Sequence, residues 1–234
     1  MMVNVLDERS GKVSFDAHKY TGWVDSIRKL NSLIPDGVLV GGAALVLQLA
    51  ARKPELASQL IEGGDGPHDL DIVCPSESFS HLPGRVDAEG YTPLPSPPNM
   101  GATWFLPLSD RTSIPGRDLK VDVVREGRGP PIARSPVEFN GMLVYTSTPE
   151  ELFLQRMFQL LGYERRGLGD LHPPNDRHFR YFKLNLEIVD DASLDGVFPL
   201  FKERMKVQRG IEIEEGSWGE MAAKVQKKMN AKGI

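Results

Sequence analysis

The sequence changes character near residue 147. Before that point, short apolar runs alternate with turns rich in glycine and proline, whereas after it apolar residues recur every three or four positions. Thr148-Pro149-Glu150-Glu151 combines an N-cap, a proline at the first helical position and a capping-box glutamate, which predicts the start of a helix. Strands followed by helices indicate an α+β fold, with an α/β domain over residues 1–146 and a helical domain over residues 147–234.

Apolar periodicity and turn residues predict the individual elements. Helices are expected at 15–34, 43–52, 54–62, 148–161, 175–189 and from 217 onward. Strands are expected at 38–40, 69–73, 103–106 and 119–124, and a hairpin at 137–145. The hairpin turns at Asn140-Gly141, which readily supplies the two positive φ angles of a type I′ turn.

Composition limits the kind of protein. The net charge of −4 excludes binding of nucleic acid through bulk positive charge but leaves room for a local basic face. Cys74 is the single cysteine, so the chain forms no internal disulfide. The sequence has no apolar run of membrane-spanning length and no secretion signal, so we expect a cytoplasmic protein without a membrane partner.

Gly41 and Gly42 end a short apolar strand and lead directly into a predicted helix. Glycine lets the backbone approach a ligand closely, and the first amides of a helix point unpaired N–H groups outward. This turn is therefore a place for a phosphate group. The alternative is a tight connection with no ligand, which is the commoner reason for two glycines at such a turn.

Three aspartates lie in two predicted strands. Asp69 and Asp71 are two residues apart, so they face the same side of their strand. Two adjacent carboxylates repel each other unless a cation lies between them. Asp122, on a neighbouring strand, would complete a site for two magnesium ions, which prefer oxygen ligands. The alternative is that all three carboxylates are solvated on an open face of the sheet.

These motifs together resemble the DNA polymerase β-type nucleotidyltransferase superfamily. The helical half makes the chain resemble, within it, the nucleotidyltransferase toxins of abortive-infection and toxin–antitoxin systems. The resemblance spans roughly residues 36–190 and implies a mixed-sheet nucleotidyltransferase fold followed by a helical C-terminal half. It also implies that Asp69 and Asp71 bind both metal ions, Mg²⁺ or Mn²⁺. Asp122 would bind one of them and help to activate the attacking hydroxyl.

The sequence departs from the superfamily's pattern at three places. Ala43 follows the two glycines where a serine or threonine is usual, and residues 53–67 look like an insertion. In the helix after the sheet, Arg156 takes the place of a lysine that these toxins often have. Arg177 and Arg180 lie in a later helix and form a candidate basic face for the nucleotide or for RNA, with a solvated helix face as the alternative.

The function implied is metal-dependent transfer of a nucleoside monophosphate from a triphosphate such as ATP to an acceptor hydroxyl. The acceptor would be RNA or protein, and a toxin of this kind would have a cognate antitoxin as a partner. A catalytically inactive binding module with the same fold is one alternative, favoured by Ala43 and by the insertion at residues 53–67. A transferase for small molecules such as aminoglycosides is the other, and it would need an acidic pocket instead of a basic face.

Overall fold

A computed structural model describes residues 12–13, 21–62, 68–95, 105–113, 118–162 and 176–233 of the chain. Contacts divide the chain into two units. The first contains Met1–Glu126 and Arg134–Ser147, and the second contains Gly127–Ala133 and Thr148–Ile234. The chain passes from one unit to the other after Glu126, after Ala133 and after Ser147, so Gly127–Ala133 belongs with the helices.

The first unit is built on one mixed sheet, which in the described ranges has eight strands. The strands are β1 (Lys12–Val13), β2 (Val38–Val40), β3 (Asp69–Cys74), β4 (Tyr91–Pro93), β5 (Phe105–Asp110), β6 (Leu119–Arg125), β7 (Arg134–Phe139) and β8 (Met142–Ser147). Their order across the sheet is β1-β7-β8-β2-β3-β6-β5-β4. The pairs β3–β6 and β2–β8 are parallel, whereas β2–β3 is antiparallel. The mixed sheet expected from the sequence is therefore present.

Four helices of the first unit are described. They are α1 (Thr21–Leu33), α2 (Gly41–Arg52), α3 (Pro54–Glu62) and α4 (Ser76–His81). Every residue from Ala43 to Ala50 in α2 is buried, as expected for a helix that is apolar on all sides. Gln48, the polar exception, donates hydrogen bonds from Nε2 to Thr146 Oγ1 at 2.6 Å and to Ser135 Oγ at 2.7 Å, which attaches α2 to the sheet.

Three predicted elements begin outside the described residues. The helix predicted from residue 15 is described from Thr21, and the strand predicted from residue 103 is described from Phe105. The helix predicted at 175–189 is described from Asp176 and ends at Leu186. Residues 54–62 of the apparent insertion form α3, as predicted. The β7–β8 hairpin turns at Asn140 and Gly141, with φ angles of 46° and 76°.

The second unit packs four described helices around one apolar core. They are α5 (Pro149–Leu161), α6 (Asp176–Leu186), α7 (Asp191–Arg209) and α8 (Trp218–Lys232). The predicted caps are present, since Thr148 Oγ1 and Ser217 Oγ each accept a hydrogen bond from the backbone N–H three residues on. Gly162 ends α5 in the left-handed conformation with φ 82°, as expected for a helix C-terminus.

Helix α7 has no counterpart among the predicted elements, and it begins after an Asp190 side chain that accepts a hydrogen bond from the Ser193 N–H. Leu194, Phe198 and Phe201 are buried at helical spacing on this element. Although α7 has 19 residues, neither it nor any other described helix combines the length and apolar composition needed to span a bilayer.

A buried ion pair joins α5 to α7, and hydrogen bonds connect the same helices to the segment Gly127–Ala133. The side chains of Glu151 and Arg204 are 0% and 3% exposed and form a salt bridge through Glu151 Oε1. Arg204 also donates to the Pro131 carbonyl oxygen at 2.8 Å, and the Thr148 N–H donates to the Ala133 carbonyl oxygen at 3.0 Å. The segment Gly127–Ala133 thus supplies hydrogen-bond acceptors to the helical unit.

Candidate active site

The register of two parallel strands brings the three aspartates to one face of the sheet. Asp71 on β3 lies directly opposite Asp122 on β6, and Asp69 lies opposite Lys120. Paired residues in adjacent strands point to the same face, and residues two apart on one strand do so as well. The alternate positions Leu70, Ile72, Val121 and Val123 are buried on the other face.

The turn between β2 and α2 lies beside this cluster. Val40, the last residue of β2, pairs with Asp71, and Gly41 follows with a φ of +65°. A Cβ atom at Gly41 would lie 2.6 Å from Asp71 Oδ2, closer than real Cβ contacts come. A side chain at residue 41 would therefore be strained by the backbone angle, and the Asp71 carboxylate would have to move to make room for it.

Gly42 is the second residue of α2, and Ala43 after it is buried at 1% exposure. Val40 occupies the N-cap position, and the helix has no side-chain cap. Among the described residues, no capping side chain therefore shields the first N–H groups of α2. A buried methyl group stands at Ala43, where a hydroxyl would have been a further hydrogen-bond donor.

Gly41→Ala should destabilise the protein and displace the Asp71 carboxylate. The left-handed backbone alone costs a non-glycine residue about 1–2 kcal/mol, and the contact at 2.6 Å adds to that cost. Urea unfolding should show the loss. Gly84→Ala is the matched control, because no atom lies within 4 Å of its added Cβ. Equal stabilities of the two variants would contradict the account of the turn.

One cation already interacts with the carboxylates. Lys120 Nζ lies 2.6 Å from Asp122 Oδ2, and the side chains of the two residues are 52% and 14% exposed. Burial by itself would lower the pKa of Lys120. The hydrogen bond to Asp122 and the negative charges of Asp122, Asp69 and Asp71 outweigh burial, so the pKa of Lys120 is raised. Three carboxylates therefore act on a single ammonium group.

The donor atoms are of the kind that a hard cation requires. Magnesium and manganese bind carboxylate oxygens, and the other oxygen of Asp122, Oδ1, is buried with no hydrogen-bond partner among the described residues. A buried carboxylate oxygen without a partner is costly, and a cation would satisfy it. In the described part of the chain, however, no group of three or more His, Cys, Asp or Glu side chains is arranged to hold a metal ion. The three carboxylates therefore offer oxygen ligands that suit a divalent cation, and they lie on one face of the sheet. Lys120 binds one of these oxygens.

Arg156 and Arg177, the predicted nucleotide-binding arginines, belong to the helical unit, where both contact the same ring. The guanidinium carbon of Arg156 lies 5.1 Å from the Tyr181 ring centroid, and that of Arg177 lies 5.2 Å from it. Arg177 Nε also donates to the Tyr181 hydroxyl at 3.1 Å. Cation–π contact thus brings two positive charges together on α5 and α6.

Two residues that contact the predicted site residues, Lys120 and Tyr181, are not themselves predicted from the sequence. Lys120 lies two residues before Asp122, and this spacing by itself indicates a shared face. Tyr181 lies four residues after Arg177, so the two side chains are neighbours on a helix. In both cases the spacing along the chain indicates that the side chain is a neighbour of a predicted site residue.

Several solved structures are similar to this chain at low sequence identity. The chain is similar to an antigenic nucleotidyltransferase-like protein from Paracoccidioides brasiliensis, with 15% identity over 84% of this chain and 96% of that one and a TM-score of 0.46. It is similar to ANT(2″)-Ia in complex with adenylyl-2″-tobramycin, with 14% identity over 77% and 97% of the two chains and a TM-score of 0.50. A Megavirus polyadenylate synthase matches with 13% identity over 74% of this chain and 33% of that one, at a TM-score of 0.47.

No protein-family model matches the chain, and no curated protein matches it in sequence. At identities this low, the structural likeness concerns the fold. The predicted fold class is confirmed: the chain has an α+β nucleotidyltransferase fold with a mixed sheet, followed by helices.

Proposed function

We propose that this protein is a metal-dependent nucleotidyltransferase, which moves a nucleoside monophosphate from a nucleoside triphosphate to an acceptor hydroxyl. The observation that carries the proposal is the register of β3 and β6, in which Asp71 and Asp122 are directly paired and Asp69 shares their face. The close approach of Gly41 to Asp71 supports it, because a phosphate group seated at this turn would lie beside the carboxylates.

In this reaction the acceptor oxygen forms a bond to the α-phosphorus, and the bond to the departing pyrophosphate breaks. Mg²⁺ or Mn²⁺ held by Asp69, Asp71 and Asp122 would stabilise negative charge on the attacking and departing oxygens. Asp122, which shares the face of Asp69 and Asp71, would take up the hydroxyl proton. The turn at Gly41 and Gly42 offers backbone N–H groups to the phosphates.

The arginines of the helical unit are proposed as further phosphate ligands. Arg156 and Arg177 share the Tyr181 ring, which keeps two guanidinium groups near each other despite their like charge. Arginine matches phosphate oxygens through paired N–H donors. RNA or protein is proposed as the acceptor, with a cognate antitoxin as partner. Because ANT(2″)-Ia was solved with an adenylylated tobramycin, an aminoglycoside belongs in the panel of acceptors.

A second candidate function, a binding module without catalysis, is favoured by two observations. Lys120 Nζ is bound to Asp122, and no group of three or more described His, Cys, Asp or Glu side chains is arranged for a metal ion. Such a module would bind a nucleotide or a protein partner and transfer nothing. The two functions differ in whether label from an α-labelled triphosphate becomes attached to an acceptor.

The proposal is tested first by ligand-dependent stability. Mg²⁺ or Mn²⁺ together with ATP or another triphosphate should raise Tm, since a ligand that binds only the folded state stabilises it. At about 100 times Kd the expected rise is roughly 5–10 °C. Asp71→Asn should remove the rise and leave the unliganded protein folded, because it lowers the repulsion among the carboxylates.

Asp25→Asn is the matched control, since Asp25 is 44% exposed and paired with Arg28 on α1. Its Tm should rise with ligand as in the wild type. A rise in Asp71→Asn equal to that of the wild type would mean that the nucleotide binds elsewhere, and the proposed function would then be wrong.

A further inference from the structure

Lys120 is surrounded by the carboxylates that the proposed function assigns to metal. It is paired across the parallel ladder with Asp69, and its ammonium group binds Asp122 at 2.6 Å. Asp71, opposite Asp122, contributes a third negative charge to its environment. On the β5 side, Lys120 pairs with Ser109, whose hydroxyl donates to Asp118. The three aspartates of the site face thus all interact electrostatically with Lys120.

We propose that Lys120 is a built-in counter-cation, which neutralises the three aspartates while the site lacks metal and competes with the metal ion for Asp122. This inference rests on the proposed function, because it takes the same carboxylates to be the metal ligands. Lys120 is a positioning residue, acting through Asp122. Its competitor is a divalent cation that prefers the same oxygen atoms.

Electrostatics gives the lysine this double role. Three carboxylates on one face repel one another, and an ammonium group at hydrogen-bond distance offsets part of that repulsion. The same ammonium group repels an incoming divalent cation and must leave Asp122 Oδ2 before that oxygen can bind metal. Because the Lys120 side chain is 52% exposed on a flexible stem, it can turn into solvent without disturbing the core.

The position of Asp122 explains why one lysine has this effect. The Asp122 side chain is only 14% exposed, and its Oδ1 atom is buried, so water reaches the carboxylate poorly. A charge that water screens weakly depends more strongly on its nearest cation. Lys120 and the metal ion are the two cations that compete for this carboxylate, and they exclude each other at Oδ2.

The test is Mn²⁺ binding by isothermal titration calorimetry, with Mn²⁺ alone as the probe, in the wild type and in Lys120→Met. Removing the competing charge should tighten Mn²⁺ binding by about tenfold. Lys120→Arg keeps the charge and should restore the wild-type affinity. Lys183→Met removes an exposed lysine from α6 and is the matched control, which should bind Mn²⁺ as the wild type does.

Thermal denaturation gives a second readout that a purely structural lysine would not produce. In EDTA, Lys120→Met should melt roughly 1–4 °C below the wild type, because the carboxylates lose their counter-charge. Saturating Mn²⁺ should close this gap, since the metal then neutralises the site in both proteins. A difference in melting temperature that persists at saturating Mn²⁺ would overturn the proposal, because Lys120 would then stabilise the fold without competing with the metal ion.

The outcomes separate this inference from the proposed function. If Lys120→Met binds Mn²⁺ no more tightly than the wild type, while Asp71→Asn loses binding, the metal site stands and the role given to Lys120 is wrong. If neither the wild type nor Lys120→Met binds Mn²⁺, both the inference and the metal-dependent function are overturned. Tighter binding in Lys120→Met, restored to the wild-type level by Lys120→Arg, supports both.

Discussion

Asp122→Ala should abolish transfer of label from an α-labelled triphosphate while weakening nucleotide binding much less than Asp71→Ala does. Asp69 and Asp71 would hold the metal that carries the triphosphate, so the loss of either affects binding and chemistry together. Asp122 would act on the acceptor hydroxyl, a contribution made mainly in the transition state. Loss of a general base costs about 10²–10⁴ in rate, and a lost metal ligand adds to that.

The measurement is transfer of α-labelled ATP, GTP, CTP or UTP to total RNA, to protein and to tobramycin. Asp118→Ala is the matched control, because Asp118 directly precedes β6 but is 61% exposed and paired with Arg111. It should transfer label as the wild type does. If Asp122→Ala is as fast as the wild type, the role of Asp122 is wrong. If the wild type labels none of these acceptors, the binding module becomes the better account.

Arg204→Met should produce the largest loss of stability. It leaves Glu151, which is 0% exposed, as a buried carboxylate without its ion-pair partner, and it removes the hydrogen bond to the Pro131 carbonyl. Breaking a buried pair in this way typically costs about 3–5 kcal/mol. Lys206→Met on the same helix breaks the exposed pair with Glu212 and should cost only about 0–1 kcal/mol.

The loss in Arg204→Met should depend on pH. Burial raises the pKa of Glu151 and Arg204 opposes that rise, so the pKa rises further without the arginine. A carboxyl group with a raised folded-state pKa loses stability as pH increases above its unfolded pKa. Calorimetry should therefore show a larger difference in Tm from the wild type at pH 8 than at pH 5. The double variant Glu151→Leu/Arg204→Met should recover most of the stability, and a double variant as unstable as the single one would contradict this account.

Much of the fold follows from local signals in the sequence. Alternation predicts β3 and β6, and the helix caps at Thr148 and Ser217 are formed as expected. Helix α7 is missed because Pro199 lies inside it and Gly196 lies one turn before, and both residues normally disfavour a helix interior. Tertiary packing of its apolar side chains outweighs those local preferences.

The sequence singles out the three candidate aspartates, but it does not determine how they are placed relative to one another. The spacing of Asp69 and Asp71 indicates a shared face, yet the pairing of β3 with β6 joins residues just over fifty positions apart. Sequence alternation cannot determine that register, because it depends on which strands become neighbours in the sheet. The Lys120–Asp122 contact also needs the structure, since two residues on one face can equally point into solvent.

The segment Gly127–Ala133 makes the helical unit discontinuous in sequence. A fragment starting at Thr148 would contain α5 through α8 but would lack the Pro131 and Ala133 carbonyls that accept from Arg204 and from the Thr148 N–H. Because both acceptors are backbone carbonyls, what a recombined chain must preserve is the path of residues 127–133 and not the identity of their side chains. A related gene could therefore supply this segment to the helices, whereas a gene fragment that starts at residue 148 could not.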